Sequence, residues 1–203
     1  MRWSVGTAST PRTVAMSALL LFAGVSVSGC GVNTIPTEQE QAKAAWSEVQ
    51  NQYQRRADLI PNLVNTVKGY ATQEREVLTQ VTEARAKATQ VQVNANQLTD
   101  PEAIRRFQEA QAQLSGALGR LLAVSERYPD LKSNQNFLAL QSQLEGTENR
   151  ITVARRDYIQ AVQNYNTEVR TFPGRFWAMM YSAQPMATFT TGEENQRPPA
   201  VQF

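Results

Sequence analysis

Residues 46–70 read WSEVQNQYQRRADLIPNLVNTVKGY, and the spacing inside that stretch decides the fold class. Stepping by seven from Trp46 lands on Tyr53, Ile60 and Val67 and then, beyond the stretch, on Glu74, Val81 and Ala88. The row three residues later is Val49, Arg56, Leu63, Tyr70, Val77, Ala84 and Val91. Two such rows make one apolar seam along a helix. A strand would need two-residue alternation, which no stretch of the chain sustains. Because the seam keeps its phase across Pro61, the spacing predicts one long helix over 37–94, kinked at the proline. The alternative is a break at Pro61, with Asp58 as the cap of a new helix and the proline in its first turn. The first reading gives three long helices and the second gives four.

Upstream, Thr37-Glu38-Gln39-Glu40 has the capping-box pattern and is expected to start this helix. Between Thr37 and Thr171 there are only three prolines, Pro61, Pro101 and Pro129, and four glycines, among abundant Gln, Ala, Glu, Arg and Leu. That composition favours helix throughout. Asn94 to Leu98 reads as a polar loop. Asp100-Pro101-Glu102 then supplies a cap, a proline at the first helical position and an acid at the positive end of the helix dipole. The second helix is expected to bury Ile104, Phe107, Leu114, Leu118 and Leu121, with Gly116 and Gly119 permitting close approach, and to end at Tyr128-Pro129. After a turn over 130–134, a third helix carries Phe137, Leu144, Ile151, Tyr158, Tyr165 and Phe172 at seven-residue spacing, until Pro173-Gly174 stops it. The expected architecture is all-α: an elongated antiparallel helical bundle over 37–183 with a short C-terminal helix. Residues 184–203 read as a mostly disordered tail, with Phe189, Val201 and Phe203 as possible docking points.

The 203 residues carry 20 Lys plus Arg against 18 Asp plus Glu, a formal charge of +2. Arg2 and Arg12 account for the whole surplus, so the chain from Cys30 onward is balanced. Nucleic-acid binding needs a concentrated basic face, and no such face is written here. Histidine is absent and Cys30 is the only cysteine. The commonest general base, the commonest zinc ligand and any internal disulfide are therefore missing. No catalytic residue, metal or cofactor is expected, and the chain is expected not to be an enzyme.

The two arginines precede an uncharged stretch, Thr13 to Ser28, which holds Val14 to Ala23 and is followed by small residues. Charged, apolar and small segments in that order make a secretory signal peptide, and about 16 apolar residues fall short of the ~20 a spanning helix needs. Val27-Ser28-Gly29-Cys30 resembles the bacterial lipobox, so residues 1–29 are expected to be cleaved, Cys30 to carry lipid and 30–36 to form a tether. A protein held by two or more acyl chains stays on a membrane stably. Gly31 after the cysteine, by resemblance to the sorting rule of two-membrane bacteria, favours the outer membrane over the inner.

The segment 54–64, with Val67-Lys68-Gly69-Tyr70, closely resembles the signature of the LemA family. So do 81–85, Ala123 to Lys132, Leu144-Glu145-Gly146-Thr147-Glu148-Asn149, Tyr165-Asn166-Thr167 and Phe172-Pro173. The resemblance runs from about Trp46 to Phe172 and implies an envelope-associated helical bundle without a settled biochemical role. Many relatives look anchored by an uncleaved N-terminal helix, whereas this chain has a lipobox-like leader.

Arg55, Arg56 and Asp58 lie beside Pro61, followed by Asn62 and Tyr70, and form the densest polar group next to a backbone break. A carbonyl freed by the proline can accept hydrogen bonds from a guanidinium there. The group reads either as a kink-stabilising ion pair and cap or as a binding notch, the notch using Arg56, Asp58 and Tyr70 for a small molecule or glycan. Glu74, Glu83, Glu145, Glu148 and Asp157 read as solvated or ion-paired with Arg85, Arg150 or Arg155 rather than as metal ligands. Phe176, Trp177, Met179, Met180 and Tyr181 form an aromatic and Met patch, either a lid on the bundle or a partner surface. With three helices that patch would sit at the membrane-distal end; four would return it toward the membrane. The preferred expectation is a lipid-anchored, non-enzymatic bundle that presents a surface to an unidentified envelope protein. An architectural coiled-coil spacer is a further alternative, and homo-oligomers are possible.

Overall fold

The computed structural model describes residues 32–189. Four long helices dominate: α1 (Thr34–Tyr70), α2 (Arg75–Gln90), α3 (Pro101–Val124) and α5 (Gln135–Arg170). Two short ones complete the set, α4 (Pro129–Lys132) and α6 (Gly174–Met180). There is no strand among the described residues, and the fold is an all-α bundle.

The expected all-α bundle is present, but the single helix expected over 37–94 is two helices, broken at 71–74. α1 passes through Pro61 without interruption and ends at Tyr70. Ala71 leaves helical geometry at φ −124°, ψ 58°, and Glu74 starts α2. The four-helix count therefore arises from a turn at 71–74, not from a break at Pro61. Two side chains explain the turn. Tyr70 and Glu74 fall on the seam rows, yet Tyr70 is exposed and bonded to Asn134, and Glu74 pairs with Arg127 at 3.0 Å. The seam keeps phase on both sides because α2 doubles back and buries its own stripe, Leu78, Val81, Ala84 and Ala88.

Continuity through Pro61 has an identifiable support. Proline lacks an N–H, so the Ala57 carbonyl one turn earlier loses its usual donor. Arg85 on α2 supplies one, its Nε donating to Ala57 O at 2.8 Å. The expected guanidinium-to-carbonyl contact thus exists, made by the neighbouring helix and not by Arg55 or Arg56. Arg85→Ala should cost about 1 kcal/mol in urea unfolding, and less once Pro61→Ala restores the amide, a coupling of about 0.5 kcal/mol or more. Equal costs in the two backgrounds would show that Arg85 does nothing for that carbonyl.

The ends differ in detail. α1 begins at Thr34, with Asn33 O accepting from Thr37 N at 3.1 Å, so the expected capping box at Thr37 lies inside the helix and residues 34–36 are not tether. The cap at Asp100 is as expected, its Oδ1 accepting from Glu102 N at 2.9 Å. Asn134 starts α5 in the same way, accepting from Phe137 N at 3.0 Å. Gly116 and Gly119 sit on the exposed side of α3, where an added Cβ would meet nothing within 4 Å. They do not serve close approach.

α2 folds back along the upper part of α1, α3 climbs again, and α5 descends the full length of α1. Two apolar clusters fill the interior. The lower joins Trp46, Tyr53, Phe107, Tyr158, Tyr165 and Phe189, and the upper joins Ile60, Leu63, Leu78, Leu114, Leu121 and Phe137. The lower one is closed by a strap over 183–189, which corrects the tail boundary expected at 184. Asn166 clamps Met186 through both amide groups at 2.8 Å, Ala187 N donates to Leu98 O at 2.7 Å, and Tyr158 donates its hydroxyl to Ala187 O at 2.8 Å. Met186 and Phe189 are buried. Val201 and Phe203 lie outside the described residues.

Burial raises the ionisation of Tyr53, Tyr158 and Tyr165 above that of a free phenol, at Tyr53 against the lowering pull of Arg155 and Arg56. A raised folded-state value contributes stability that is complete below pH ~10 and lost as pH climbs from there toward the folded values. Resistance to urea should therefore fall above pH ~10, with phenolate absorbance appearing together with loss of helical signal rather than before it. Phenolate forming fully while the helices persist would contradict the burial of these rings.

Candidate functional site

Arg56 and the outward face of α6 are the two places where polar or apolar groups concentrate beyond what packing alone requires. Arg56 projects from α1 into the level that separates the two apolar clusters, and only 2% of it is exposed. Its Nη1 donates to Ser115 Oγ at 2.8 Å and to the Glu148 carboxylate at 3.1 Å. Its Nη2 donates to Gln111 Oε1 at 2.8 Å, and the guanidinium carbon lies 5.0 Å from the centre of the Tyr53 ring. Buried Gln111 in turn donates to Ala88 O on α2 at 3.3 Å. One side chain and its acceptors thus tie α1, α3, α5 and, through Gln111, α2. The arrangement is a cross-brace: both terminal nitrogens of the guanidinium meet acceptors of the same chain, while the buried Nε has none.

The other residues expected beside it do not converge there. Arg55, Asp58, Pro61 and Asn62 are exposed. Asp58 accepts from Gln54 Nε2 at 2.7 Å, and the Asn62 carbonyl accepts from Thr66 Oγ1 at 2.9 Å. Tyr70 lies at the far end of α1, where its hydroxyl accepts from Asn134 Nδ2 at 2.8 Å. The notch of Arg56, Asp58 and Tyr70 is therefore not formed. A different concavity lies between α3 and α5, about 200 Å³, with Arg56 reaching it beside Leu118, Leu122, Leu144 and the carboxylates Glu145 and Glu148. Gln111 and Ser115 went unnoticed in the sequence. The signal for Gln111 was present, because it sits on the apolar row Ile104, Phe107, Leu114, Leu118 of α3.

Three of these acids form ion pairs. Glu148 meets Arg56, Glu74 meets Arg127 and Asp157 meets Arg156 at 3.2 Å, so the partners differ from the expected Arg85, Arg150 and Arg155. Among the described residues no three of His, Cys, Asp and Glu are placed to hold a metal ion. Tyr128 donates to Glu74 Oε1 at 3.2 Å, and desolvation, followed by that bond, raises its ionisation above the ordinary range.

α6 divides the second group between two roles. Gly174 and Ala178 are buried, and half-buried Trp177 packs on the lower cluster, with its ring centre 5.3 Å from that of Phe176. Phe176, Met179, Met180 and Tyr181 face outward, as does Phe172 at 89% exposure. One side is a lid and the other an uncovered apolar face. Its place is fixed by the helix count: four long helices bring the chain back to the end where it enters. There Tyr181 and Tyr165 share a cavity of about 400 Å³ with Ile35, Pro36 and Lys43 from the first turns of α1. No described helix is long and apolar enough to cross a membrane, and Cys30 lies outside the described residues.

Comparison with known proteins places this architecture. MamQ 2, a magnetosome protein of Paramagnetospirillum magneticum, is 26% identical over 181 residues, covering 81% of this chain and 66% of the relative, so the chain spans just under two thirds of that protein. Protein LemA of Metamycoplasma hominis is 25% identical over 161 residues, covering 79% of this chain and 69% of the relative. MamQ of Magnetospirillum gryphiswaldense is 25% identical over 183 residues, covering 82% and 67%. The model of the LemA family matches residues 45–203, which takes in α1 from its fourth turn, the Arg56 brace, the strap and α6. The chain belongs to the LemA family.

Proposed function

We propose that this chain is a lipid-anchored, non-catalytic bundle of the bacterial envelope that holds a protein-interaction surface away from the membrane. The observation that carries the reading is the position of Thr34: α1 starts four residues after Cys30, at the very end of the bundle. A lipid on Cys30 would therefore hold the bundle by one tip, and α1, with 37 residues, extends about 55 Å from it. The surface presented partway up that length, from the level of Arg56 about 33 Å along α1, is the apolar concavity between α3 and α5. Leu118, Leu122 and Leu144 there suit an apolar side chain of a partner, and Glu145 and Glu148 suit a neighbouring positive charge. Export, with delivery to the outer membrane where the host has two, follows from the leader and Gly31.

Metabolic labelling with a palmitate analogue tests the anchor. The wild-type protein should take up label and Cys30→Ala should not; an unlabelled wild type with a free thiol by intact mass would overturn it. A photo-crosslinking residue at Leu122 tests the surface in native envelopes. A discrete adduct is expected there and not from exposed Gln163, and its absence would refute the concavity as the contact.

A further inference from the structure

We infer that the outward face of residues 172–181 is a membrane-contact surface that seats the bundle on anionic lipid headgroups. The inference rests on the lipid-anchor reading above and adds the face by which the protein lies against the bilayer.

Place is the first argument. Three residues separate Cys30 from Thr34, so the first turn of α1 lies at most about 14 Å from the lipidated atom. α6 sits at that same tip, its neighbours Ile35 and Pro36 belonging to the first turn of α1. A lipid on Cys30 brings this face to the headgroup region whatever else the protein does.

Chemistry is the second. Of the eight large hydrophobic side chains exposed on the described surface, five lie in these ten residues: Phe172, Phe176, Met179, Met180 and Tyr181. The remaining three, Tyr70, Leu138 and Val153, are scattered elsewhere. Aromatic and long apolar side chains beside arginines are what an interfacial segment uses, the rings entering the headgroup boundary and the cations meeting lipid phosphates. Arg170 and Arg175 flank the face, and from 169 to 192 the chain holds no acid. Glu168, the nearest acid along the chain, lies against Gly174, and Glu38 and Glu40 stand on the adjoining first turns of α1.

Rigidity is the third. Ala178 is buried and Trp177 packs on the lower cluster, while Ser182 at φ 52° turns the chain so that Ala183 N donates to Ala178 O at 2.9 Å. The strap then leaves along α5. The face is thus a preformed platform and needs no ordering on contact.

Methionine oxidation reads the contact directly. The lipoprotein is reconstituted in vesicles of phosphatidylethanolamine with phosphatidylglycerol, or of phosphatidylcholine alone, and treated with peroxide. The comparison is the anchor-free protein made behind a leader cut before Gly31. Met179 and Met180 should oxidise at least about five-fold more slowly on the anionic vesicles than in the anchor-free protein, while buried Met186 stays slow in both. Arg170→Glu with Arg175→Glu should return most of the rate on anionic vesicles without altering the helical signal. Rates at Met179 and Met180 equal to those in free protein, on protein whose intact mass shows the lipid, would overturn the contact and leave the anchor standing. A bare Cys30 would instead remove the anchor. Protection that appears in the anchor-free protein and grows with its concentration would assign the face to a second copy of the chain, and would also overturn the proposal.

Discussion

Trp46→Ala should cost about 4 kcal/mol, enough to leave the lower half of the bundle unfolded at modest urea. The indole is buried among three rings, with centres at 5.2 Å for Phe107, 5.1 Å for Tyr158 and 5.8 Å for Phe189. Its Nε1 donates to Val93 O at 2.8 Å, pinning the connection between α2 and α3, and Gln50 donates to the same carbonyl at 3.1 Å. Truncation to Ala opens a cavity that four separate chain segments would have to collapse to fill. Trp46→Phe keeps the rings in contact and loses the hydrogen bond, so it should cost about half as much. Circular dichroism in urea measures both, and a loss below about 1.5 kcal/mol for Trp46→Ala would mean that the ring cluster is not the centre of the lower core.

Arg56→Ala is the second large effect, about 3 kcal/mol. It removes the donor to Gln111 Oε1, leaves a void at the level between the clusters and strips Glu148 of its partner. Gln111 carries most of the penalty because it is buried, whereas Glu148 is about half exposed and regains water. Replacing the cation and its buried acceptor together, Arg56→Met with Gln111→Leu, should bring stability back to within about 1 kcal/mol of wild type, since two apolar groups need no partners. A double variant as unstable as Arg56→Ala would show that the brace contributes through charge and not through satisfaction of buried groups.

Much of this fold could be read from spacing. Most of the rows through Trp46 and Phe137 and the Asp100-Pro101 start reappear in the bundle, because heptad rows and caps are local and directly physical. Tyr70, Glu74 and Phe172 leave the rows, and the third expected helix ends at Arg170, before Phe172 and the expected stop at Pro173-Gly174. The turn at 71–74 was missed because the seam keeps its phase across it just as it does across Pro61. The expected continuity at Pro61 holds, since an exposed proline whose orphaned carbonyl is bonded by a neighbouring helix can remain inside one. Tyr70 and Glu74 on the seam were the readable signal. The strap was missed for a different reason: Met186 and Phe189 form no periodic pattern, and their burial depends on Asn166, Tyr158 and Leu98, all distant in sequence. At the candidate sites, Arg56 was legible as special from its charge density, but its partners lie on two other helices and only tertiary structure names them. The face on α6 was legible in composition, and its placement had to wait for the number of helices.

The two halves of the interior differ in how far along the chain their members lie. The upper cluster draws only on residues 60–144, a continuous stretch in which neighbouring helices meet through short turns. The lower one joins Ile35 and Trp46 to Tyr158, Met186 and Phe189, nearly the whole described chain apart. Local contacts form fast and distant ones wait on loop closure. As the polypeptide is synthesised from its first residue, the upper half can assemble while the lower half still lacks its last members. Trp46 stays uncovered on one side until residue 189 has emerged, so the part of the bundle made first is completed last.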